Sequence, residues 1–220
     1  FFIRILKMNR NFNFKLYFRK SSFKKDILSA KVLFNQIDIY KPKNFLEVGV
    51  FQGVTSRNVC EKLYLIHHDD FNYHGIDIFE DSDVFLDKKE MTTKHNKISN
   101  PLKHFFYNIL FKRNLNSLES VKKLLKKFST RVFLHKGLSH EILTKIDLSK
   151  IDFVFLDGGH SYETVKKDLF LILKNIKKNK VIICDDYDQK NYGVKKAVDE
   201  LSNKVTEIKE LNNRLVKIIT

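Results

Sequence analysis

One apolar run of the chain ends in residue types that could do chemistry. The run is Ile151 to Glu163, IDFVFLDGGHSYE, in which Asp157 is followed by Gly158, Gly159 and His160. A carboxylate can bind a cation, and an imidazole with an ordinary pKa of about 6.5 is well suited to accept a proton near neutral pH. Only seven glycines occur in 220 residues. Two adjacent glycines therefore indicate a turn where side chains would obstruct a ligand.

The elements that must position these residues follow from the hydrophobic pattern. Short apolar runs predict strands over 44–50, 72–79, 131–137, 151–157 and 180–186. Period-3.6 patterns predict helices over 22–39, 55–66, 138–146, 161–177 and 192–203. Strands separated by helices require crossover connections, which build a parallel sheet covered on both faces. The last 17 residues, KVTEIKELNNRLVKIIT, predict a hairpin that turns at Asn212 and Asn213.

Ligands on such sheets bind at the carboxyl ends of the strands. The first strand contains Glu47 and is followed by Gly49 and Gly53 in an E-x-G-x-x-x-G spacing, not the G-x-G-x-x-G of dinucleotide folds. This spacing disfavours a nicotinamide or flavin oxidoreductase. The glycine turn either lets the backbone approach a ligand or serves packing. Asp77 ends the second strand, where its carboxylate either accepts from the hydroxyls of a ribose or caps a helix.

Five stretches together resemble the class I S-adenosylmethionine-dependent methyltransferases over about residues 44–220. They are FLEVGVFQG, HGIDIF, LHKGLS, FLDGGHSYE and IICDDY. Within that class the chain is similar to the small-molecule O-methyltransferases of the macrocin type and to a related compact group with an L-D-G-x-H-x-Y motif. The resemblance implies a Rossmann-like, doubly wound, mostly parallel seven-stranded sheet with an antiparallel last strand. It also implies helices on both faces and a helical insertion after the second strand.

The resemblance implies a cofactor, S-adenosyl-L-methionine (SAM), and a set of residues around it. Gly49 and Gly53 would shape the turn at the methionine end, with Glu47 steadying that loop or accepting from the amino group. Asp77 would hold the ribose, Ile78 would lie against the adenine, and Gly137 and Ser139 would contact the adenine end.

Three carboxylates follow the fourth and fifth strands, namely Asp157, Asp185 and Asp186. Brought together they would repel one another unless a cation lay among them, and an all-oxygen site suits a hard divalent cation such as Mg²⁺. The macrocin-type enzymes are metal-dependent through carboxylates in matching places, so the resemblance implies these three as metal ligands. A metal there would lower the pKa of an acceptor hydroxyl. The alternative is that Asp185 and Asp186 cap a loop.

The catalytic base is the point at which the chain departs from that family. Where the macrocin-type enzymes have a further aspartate two residues after the first ligand, this chain has Gly159. His160 follows and is the candidate general base, with Asp157 as the second candidate catalytic residue. His160 could instead bond a backbone carbonyl or cap the next helix.

The formal charge of +15 raises the question of a nucleic-acid or anionic partner. Only two alanines, no tryptophan and many Lys, Asn, Ile and Phe indicate an AT-rich coding sequence, so a nucleic-acid role is disfavoured without being excluded. Residues 80–130 are rich in lysine and aromatic residues and are interpreted as a lid or substrate-binding insertion. They either form a binding face for an anionic acceptor or an amphipathic helix with a solvated face.

We divide the chain into an N-terminal arm and helix over 1–43 and a SAM-binding domain over 44–220. The two cysteines do not form a metal-type cluster and are interpreted as buried free thiols, which favours the cytoplasm. The N-terminal apolar stretch is interrupted by Arg and Lys, so no transmembrane segment is expected.

These patterns favour a SAM-dependent methyltransferase that acts on a hydroxyl of a small molecule or sugar, assisted by a divalent cation. A nucleic-acid methyltransferase is one alternative, although N-P-P-Y and D-P-P-Y motifs are absent after the fourth strand. A catalytically silent cofactor-binding protein is another, since it would keep the glycine turn and Asp77 without needing the other carboxylates.

Overall fold

The structure is a computed structural model that describes residues 13–79, 114–188 and 192–220. Residues 1–12 of the expected N-terminal arm and residues 80–113 of the expected insertion lie outside the described residues. The interpretation of 80–130 as a lid or substrate-binding insertion therefore stays a prediction.

Seven strands of the described residues form one sheet. They are β1 (Asn44–Val48), β2 (Asn72–Asp77), β3 (Val132–Lys136), β4 (Phe153–Leu156), β5 (Val181–Cys184), β6 (Glu207–Glu210) and β7 (Val216–Ile219). Their order across the sheet is β3-β2-β1-β4-β5-β7-β6. β1 pairs in parallel with β2 and β4, whereas β7 runs antiparallel to β5 and β6. The prediction of a doubly wound, mostly parallel sheet with an antiparallel last strand is confirmed.

Six α-helices of the described residues flank this sheet. They are α1 (Ile27–Tyr40), α2 (Val54–His67), α3 (Leu118–Leu124), α4 (Ser139–Ile142), α5 (Tyr162–Asn175) and α6 (Val194–Asp199). Short 3-10 turns occur at Ser22–Lys24, Lys126–Phe128 and Leu148–Lys150. Two of the three 14-residue helices begin at side chains that satisfy free backbone N–H groups: Asp26 accepts from the Ser29 amide and Ser161 from the Thr164 amide. The third, α2, begins at Gly53 without a side-chain cap.

Alternate residues of the central strands face two separate apolar layers. Phe45 and Phe153 stack with ring centroids 5.1 Å apart in the layer that also contains buried residues of α1 and α2. Leu46 and Val154 point to the opposite layer, which contains buried residues of α5 and α6. Strands buried on both faces are apolar at nearly every position, which is why these runs do not alternate with polar residues. The sheet is therefore clamped from both sides, and its strand ends are held in fixed positions.

Two histidines face each other on the neighbouring strands β2 and β3. Nδ1 of His74 lies 3.2 Å from Nε2 of His135, and the two rings are nearly parallel. Burial, together with the proximity of His135, lowers the pKa of His74 to about 4, and burial also lowers the pKa of His135. The folded pair therefore resists protonation.

Acid is expected to weaken the fold through this pair. Between the ordinary pKa of 6.5 and about 4, the unfolded chain binds a proton at position 74 that the folded chain does not, so stability falls as the pH decreases through that window. Between about pH 7 and pH 4, which spans this window, the melting temperature of His74→Gln is expected to fall less than that of the parent. A His140→Gln control lies outside the pair and should keep the parent's acid sensitivity. Equal sensitivity in all three proteins would contradict the assignment.

Candidate active site

Gly49 brings the ends of β1 and β4 into direct contact. Its φ is +96°, and a Cβ on it would lie 1.9 Å from the carbonyl oxygen of Asp157. Its amide donates to the Ile76 carbonyl at 2.9 Å, which continues the link to β2. Only glycine allows this approach without moving the backbone. The glycine turn therefore sets the position of Asp157 as well as the shape of the loop that precedes α2.

Asp77 holds the loop after β1. Its carboxylate accepts from the amide of Phe51 at 2.7 Å and from the amide of Phe79 at 2.8 Å. Gly53, with a φ of +74°, then begins α2. Burial raises the pKa of Asp77 against the lowering effect of these backbone bonds. The side chain thus lies at the predicted strand end and organises the loop. Its expected contact with a ribose stays a prediction.

Glu47 points into the core between the sheet and α2. Its side chain accepts a hydrogen bond from the Tyr73 hydroxyl, and the residue is 1% exposed. Burial raises its pKa to about 8. At neutral pH this carboxyl is therefore mostly protonated in the protein as it stands.

The remaining predicted cofactor residues lie along the ends of β2 and β3. Ile78 directly follows β2 and is partly buried. The amide of Gly137 donates to the carbonyl of Asp77 at 3.0 Å, which brings the two strand ends together. The hydroxyl of Ser139 donates to the buried carboxylate of Asp168 on α5 at 2.9 Å. Ser139 therefore anchors α4 to α5 in this structure.

Asp157, Asp185 and Asp186 come together at the ends of β4 and β5, as expected from the order of the strands. Burial raises the pKa of Asp157 well above its usual range, and the two neighbouring carboxylates add to the effect. Oδ2 of Asp157 accepts from the hydroxyl of Ser22 at 3.3 Å. The N-terminal 3-10 turn therefore covers this edge of the sheet.

Asp185 is paired with an arginine that the sequence analysis did not select. Nε of Arg214 donates to Oδ1 of Asp185 at 2.6 Å, and Nη2 donates to Oδ2 at 2.5 Å. Each oxygen of the Asp185 carboxylate thus accepts a bond from Arg214. The expected binding of a divalent cation by Asp157, Asp185 and Asp186 stays a prediction.

His160 lies beside the third carboxylate. Its Nε2 is 3.0 Å from Oδ2 of Asp186, and its ring stacks on Tyr192 with centroids 4.4 Å apart. The amide of Gly193 donates to the His160 carbonyl at 2.8 Å, which holds the loop against the start of α6. One ligand atom each from Asp157, His160 and Asp186 can lie within 4.8 Å of the others. The imidazole and these two carboxylates form the chemical centre of the site.

A second set of long-range contacts joins the segment before α1 to the loop after β1. Nη1 of Arg19 donates to the carbonyls of Gln52 and Leu115, both at 3.0 Å, and its Nη2 donates to Ser120. The Lys20 amide donates to the Gln52 side chain at 2.7 Å. The arm that precedes α1 therefore packs on the loop after β1, a contact that sequence reasoning missed.

Local patterns held little signal for these two arginines. The chain has seven arginines, and Arg214 is the only one after Arg131. The only local signal for Arg214 was its isolated position next to the predicted turn at Asn212 and Asn213. This position did not predict Asp185 as a partner, because Asp185 is 29 positions away along the chain.

A cavity of about 640 Å³ lies next to Tyr192, the residue whose ring stacks on His160. Tyr192 both lines this cavity and stacks on the imidazole. Side chains of both charges and a second tyrosine complete the lining, which consists of Tyr187, Asp188, Tyr192, Lys195, Lys196, Asp199 and Glu200. The cavity is an open depression at the protein surface and not an enclosed pocket.

Among the described residues, the helices are too short or too polar to cross a lipid bilayer.

Comparison with known proteins gives a consistent pattern. A family model described as a methyltransferase domain matches residues 46–187, more than half of the chain. No curated protein matches the sequence significantly.

Solved structures share the fold at low identity. An O-methyltransferase from Bacillus cereus in complex with S-adenosylhomocysteine (SAH) has a TM-score of 0.58 at 13% identity, covering 91% of this chain and 84% of its own. TomG from Streptomyces achromogenes, an O-methyltransferase of tomaymycin synthesis in complex with SAM, has a TM-score of 0.55 at 16% identity, with coverages of 88% and 80%. CalS11, a TDP-rhamnose 3'-O-methyltransferase of calicheamicin biosynthesis, has a TM-score of 0.56 at 15% identity, with coverages of 91% and 80%.

Proposed function

This chain belongs to the methyltransferase domain family, and we propose that it transfers the methyl group of SAM to a hydroxyl oxygen of a small molecule or sugar. The enzyme is a SAM-dependent methyltransferase. The observation that carries the choice of oxygen is the meeting of His160, Asp157 and Asp186 at the end of β4, beside the glycine turn. A hydroxyl must lose its proton as it attacks the methyl carbon, and this cluster supplies a proton acceptor at that place. The structural neighbours that act on hydroxyls include one whose stated substrate is a sugar nucleotide.

The cofactor would lie across the ends of β1, β2 and β3. Gly49 and Gly53 would shape the loop at its methionine part, and Asp77 and Ile78 would contact the ribose and adenine. Gly137 and Ser139 border the adenine end from β3. Glu47 supports the loop from below and is the candidate partner of the cofactor's amino group. The backbone bonds from Phe51 and Phe79 to Asp77 support this cradle, because they fix the loop before a ligand enters.

The chemical step needs alignment and proton removal, since the sulfonium methyl group is already activated. In the proposed transfer the acceptor oxygen would attack the methyl carbon, the carbon–sulfur bond would break, and the sulfur of SAH would keep the electron pair. Nε2 of His160 lies 3.0 Å from Oδ2 of Asp186. A hydrogen bond from Nε2–H to this oxygen would orient the ring and leave the Nδ1 lone pair to take the hydroxyl proton. Asp186 stabilises the imidazolium that forms.

The acceptor would enter through the cavity that Tyr192 borders. An aromatic ring next to the base offers a stacking surface for a sugar face or a phenol. The lysines and carboxylates of the same cavity can bond hydroxyl groups, and the lysines could also bind an anionic group.

Calorimetric titration with SAH, SAM and NAD tests the cofactor, and transfer of a labelled methyl group tests the acceptor class. The panel should contain phenols, free sugars, sugar nucleotides and single- and double-stranded oligonucleotides. Binding of SAH and labelling of a hydroxyl compound are expected. Binding of NAD without SAH, or labelling of the oligonucleotides alone, would refute the proposal.

Asp77→Asn is expected to lower SAH affinity at least about tenfold. The substitution replaces a charged acceptor by a neutral amide, which weakens the hydrogen bonds from the loop and the proposed ones from the ribose. Calorimetry measures the affinity. Asp70→Asn is the matched control, since Asp70 is exposed and pairs with Lys43 after α2. Unchanged SAH affinity in Asp77→Asn would remove Asp77 from the cofactor site.

A further inference from the structure

We propose that Arg214 is the built-in cation of the active site and takes the place of a divalent metal. The inference rests on the proposed function and names the residue that positions its base. It comes from the contacts of one guanidinium group at the ends of β5 and β7.

Arg214 neutralises one of the three carboxylates that were expected as metal ligands. Its Nε and Nη2 bind the two oxygens of Asp185 at 2.6 and 2.5 Å, and Asp185 is 2% exposed. A bidentate pair of this kind uses the planar fork of the guanidinium fully. A metal that bound Asp185 would therefore lie beside the guanidinium and meet its positive charge.

The guanidinium is held on several sides. Its Nη1 donates to the Ser22 carbonyl at 3.1 Å, and its carbon lies 4.8 Å from the centre of the Phe23 ring. The backbone amide of Arg214 donates to Asn212, whose side chain in turn donates to Ser29 of α1. Arg214 is therefore fixed by the N-terminal 3-10 turn, α1 and the hairpin turn, and only 14% of its side chain is exposed.

The charge of Arg214 also reaches the second carboxylate. Its Nε lies 3.8 Å from Oδ1 of Asp186, so the positive charge lies between Asp185 and Asp186. Three carboxylates at the strand ends would require a bound cation if no positive group were present. The arginine supplies that charge from the chain itself.

Arg214 acts on the base through a short series of hydrogen bonds. Oδ1 of Asp185 accepts from the amide of Asp186 at 2.9 Å, in a turn where Asp186 has a φ of +55°. The left-handed conformation is uncommon for residues other than glycine, and the bond to Asp185 helps to hold Asp186 in it. The same turn brings Asp186 to His160. Arg214 is thus a positioning residue that fixes Asp185, and through it the carboxylate that orients the imidazole.

Manganese binding to the full chain tests this inference. Wild-type protein, Arg214→Met, Arg214→Lys and the double variant Arg214→Met with Asp185→Asn are freed of metal with EDTA and titrated with Mn²⁺, followed by electron paramagnetic resonance. Wild type and Arg214→Lys are expected to bind Mn²⁺ weakly. Arg214→Met frees a carboxylate and is expected to bind at least about tenfold more tightly, because affinity rises with the number of charged ligands. The double variant loses both charges and should return to weak binding.

The gain in Arg214→Met is a readout that simple damage to the fold would not produce. Tight Mn²⁺ binding by the wild type, with no gain in Arg214→Met, would overturn the inference even if one variant failed to fold. SAH titration of wild type with and without EDTA separates this question from the proposed function. Equal SAH affinity in both conditions is expected. An affinity that EDTA abolishes and Mn²⁺ restores would overturn the built-in cation, whereas failure to bind SAH in every condition would count against the proposed function.

Discussion

Glu47→Gln is expected to stabilise the protein by about 3 kcal/mol at pH 7. The folded protein keeps this carboxyl protonated because burial raises its pKa to about 8, whereas the unfolded chain ionises it near 4.5. Each pH unit above 4.5 therefore favours the unfolded state by about 1.4 kcal/mol until the folded pKa is reached. Glutamine keeps the shape of the protonated acid and has no proton to lose, so this penalty disappears.

The sign of the effect gives it a distinctive pH dependence. The destabilisation caused by Glu47 is small at pH 5 and reaches its full value above about pH 8. The difference in the free energy of unfolding between variant and parent should therefore grow across that range. Urea unfolding at pH 5, 7 and 8 measures it. Glu163→Gln is the control, because Glu163 is exposed on the first turn of α5 and should change stability by less than about 0.5 kcal/mol. A Glu47→Gln variant that is less stable than the parent at pH 8 would contradict the assignment of Glu47 as a buried, protonated acid.

The same change is expected to weaken SAH binding. If Glu47 accepts from the amino group of the cofactor, the nearby ammonium group would favour the ionised carboxylate, a form that glutamine cannot supply. A variant that is more stable and binds SAH less well would show that a functional residue is kept at a cost in stability. Urea unfolding measures the stability and calorimetry on the same protein samples measures the SAH affinity.

His160→Ala is expected to lower methyl transfer to a hydroxyl acceptor by about 10²- to 10⁴-fold, which is the usual contribution of a positioned general base. SAH affinity should change by less than about threefold, because the imidazole faces Asp186 and Tyr192 at the proposed acceptor side. Transfer of a labelled methyl group measures the first effect and calorimetry the second.

Two further variants make that result specific. Asp186→Asn should lose less activity than His160→Ala, since it removes only the orientation of the imidazole and the charge that stabilises it. His140→Ala on α4 serves as the matched histidine control and should keep normal turnover. Unchanged turnover in His160→Ala would move the base to another residue, with Asp157 the first candidate.

Much of the fold was predictable because its signals are local. The apolar runs predicted five of the seven strands nearly in place: the run over 44–50 became β1 at Asn44–Val48, and the run over 180–186 became β5 at Val181–Cys184. The Asn212 and Asn213 turn predicted the final hairpin, and its strands are antiparallel as expected. The helix expected over 138–146 is shorter, Ser139–Ile142, because two turns and a 3-10 segment lead into β4 instead.

By itself the sequence determined the sheet, the strand ends and the types of group found there. The strands and the glycine turn follow from hydrophobic periodicity and spacing, and the family resemblance implied that the fourth and fifth strands are neighbours. Asp157, His160 and Asp186 could therefore be assigned to one edge from the sequence. Only the tertiary structure decided how their charges are balanced. Arg214 reaches Asp185 over 29 positions and Ser22 reaches Asp157 over 135, and contacts of that separation depend on packing that no local pattern contains. The sequence thus predicted three carboxylates in need of a positive charge, and the fold placed an arginine beside them.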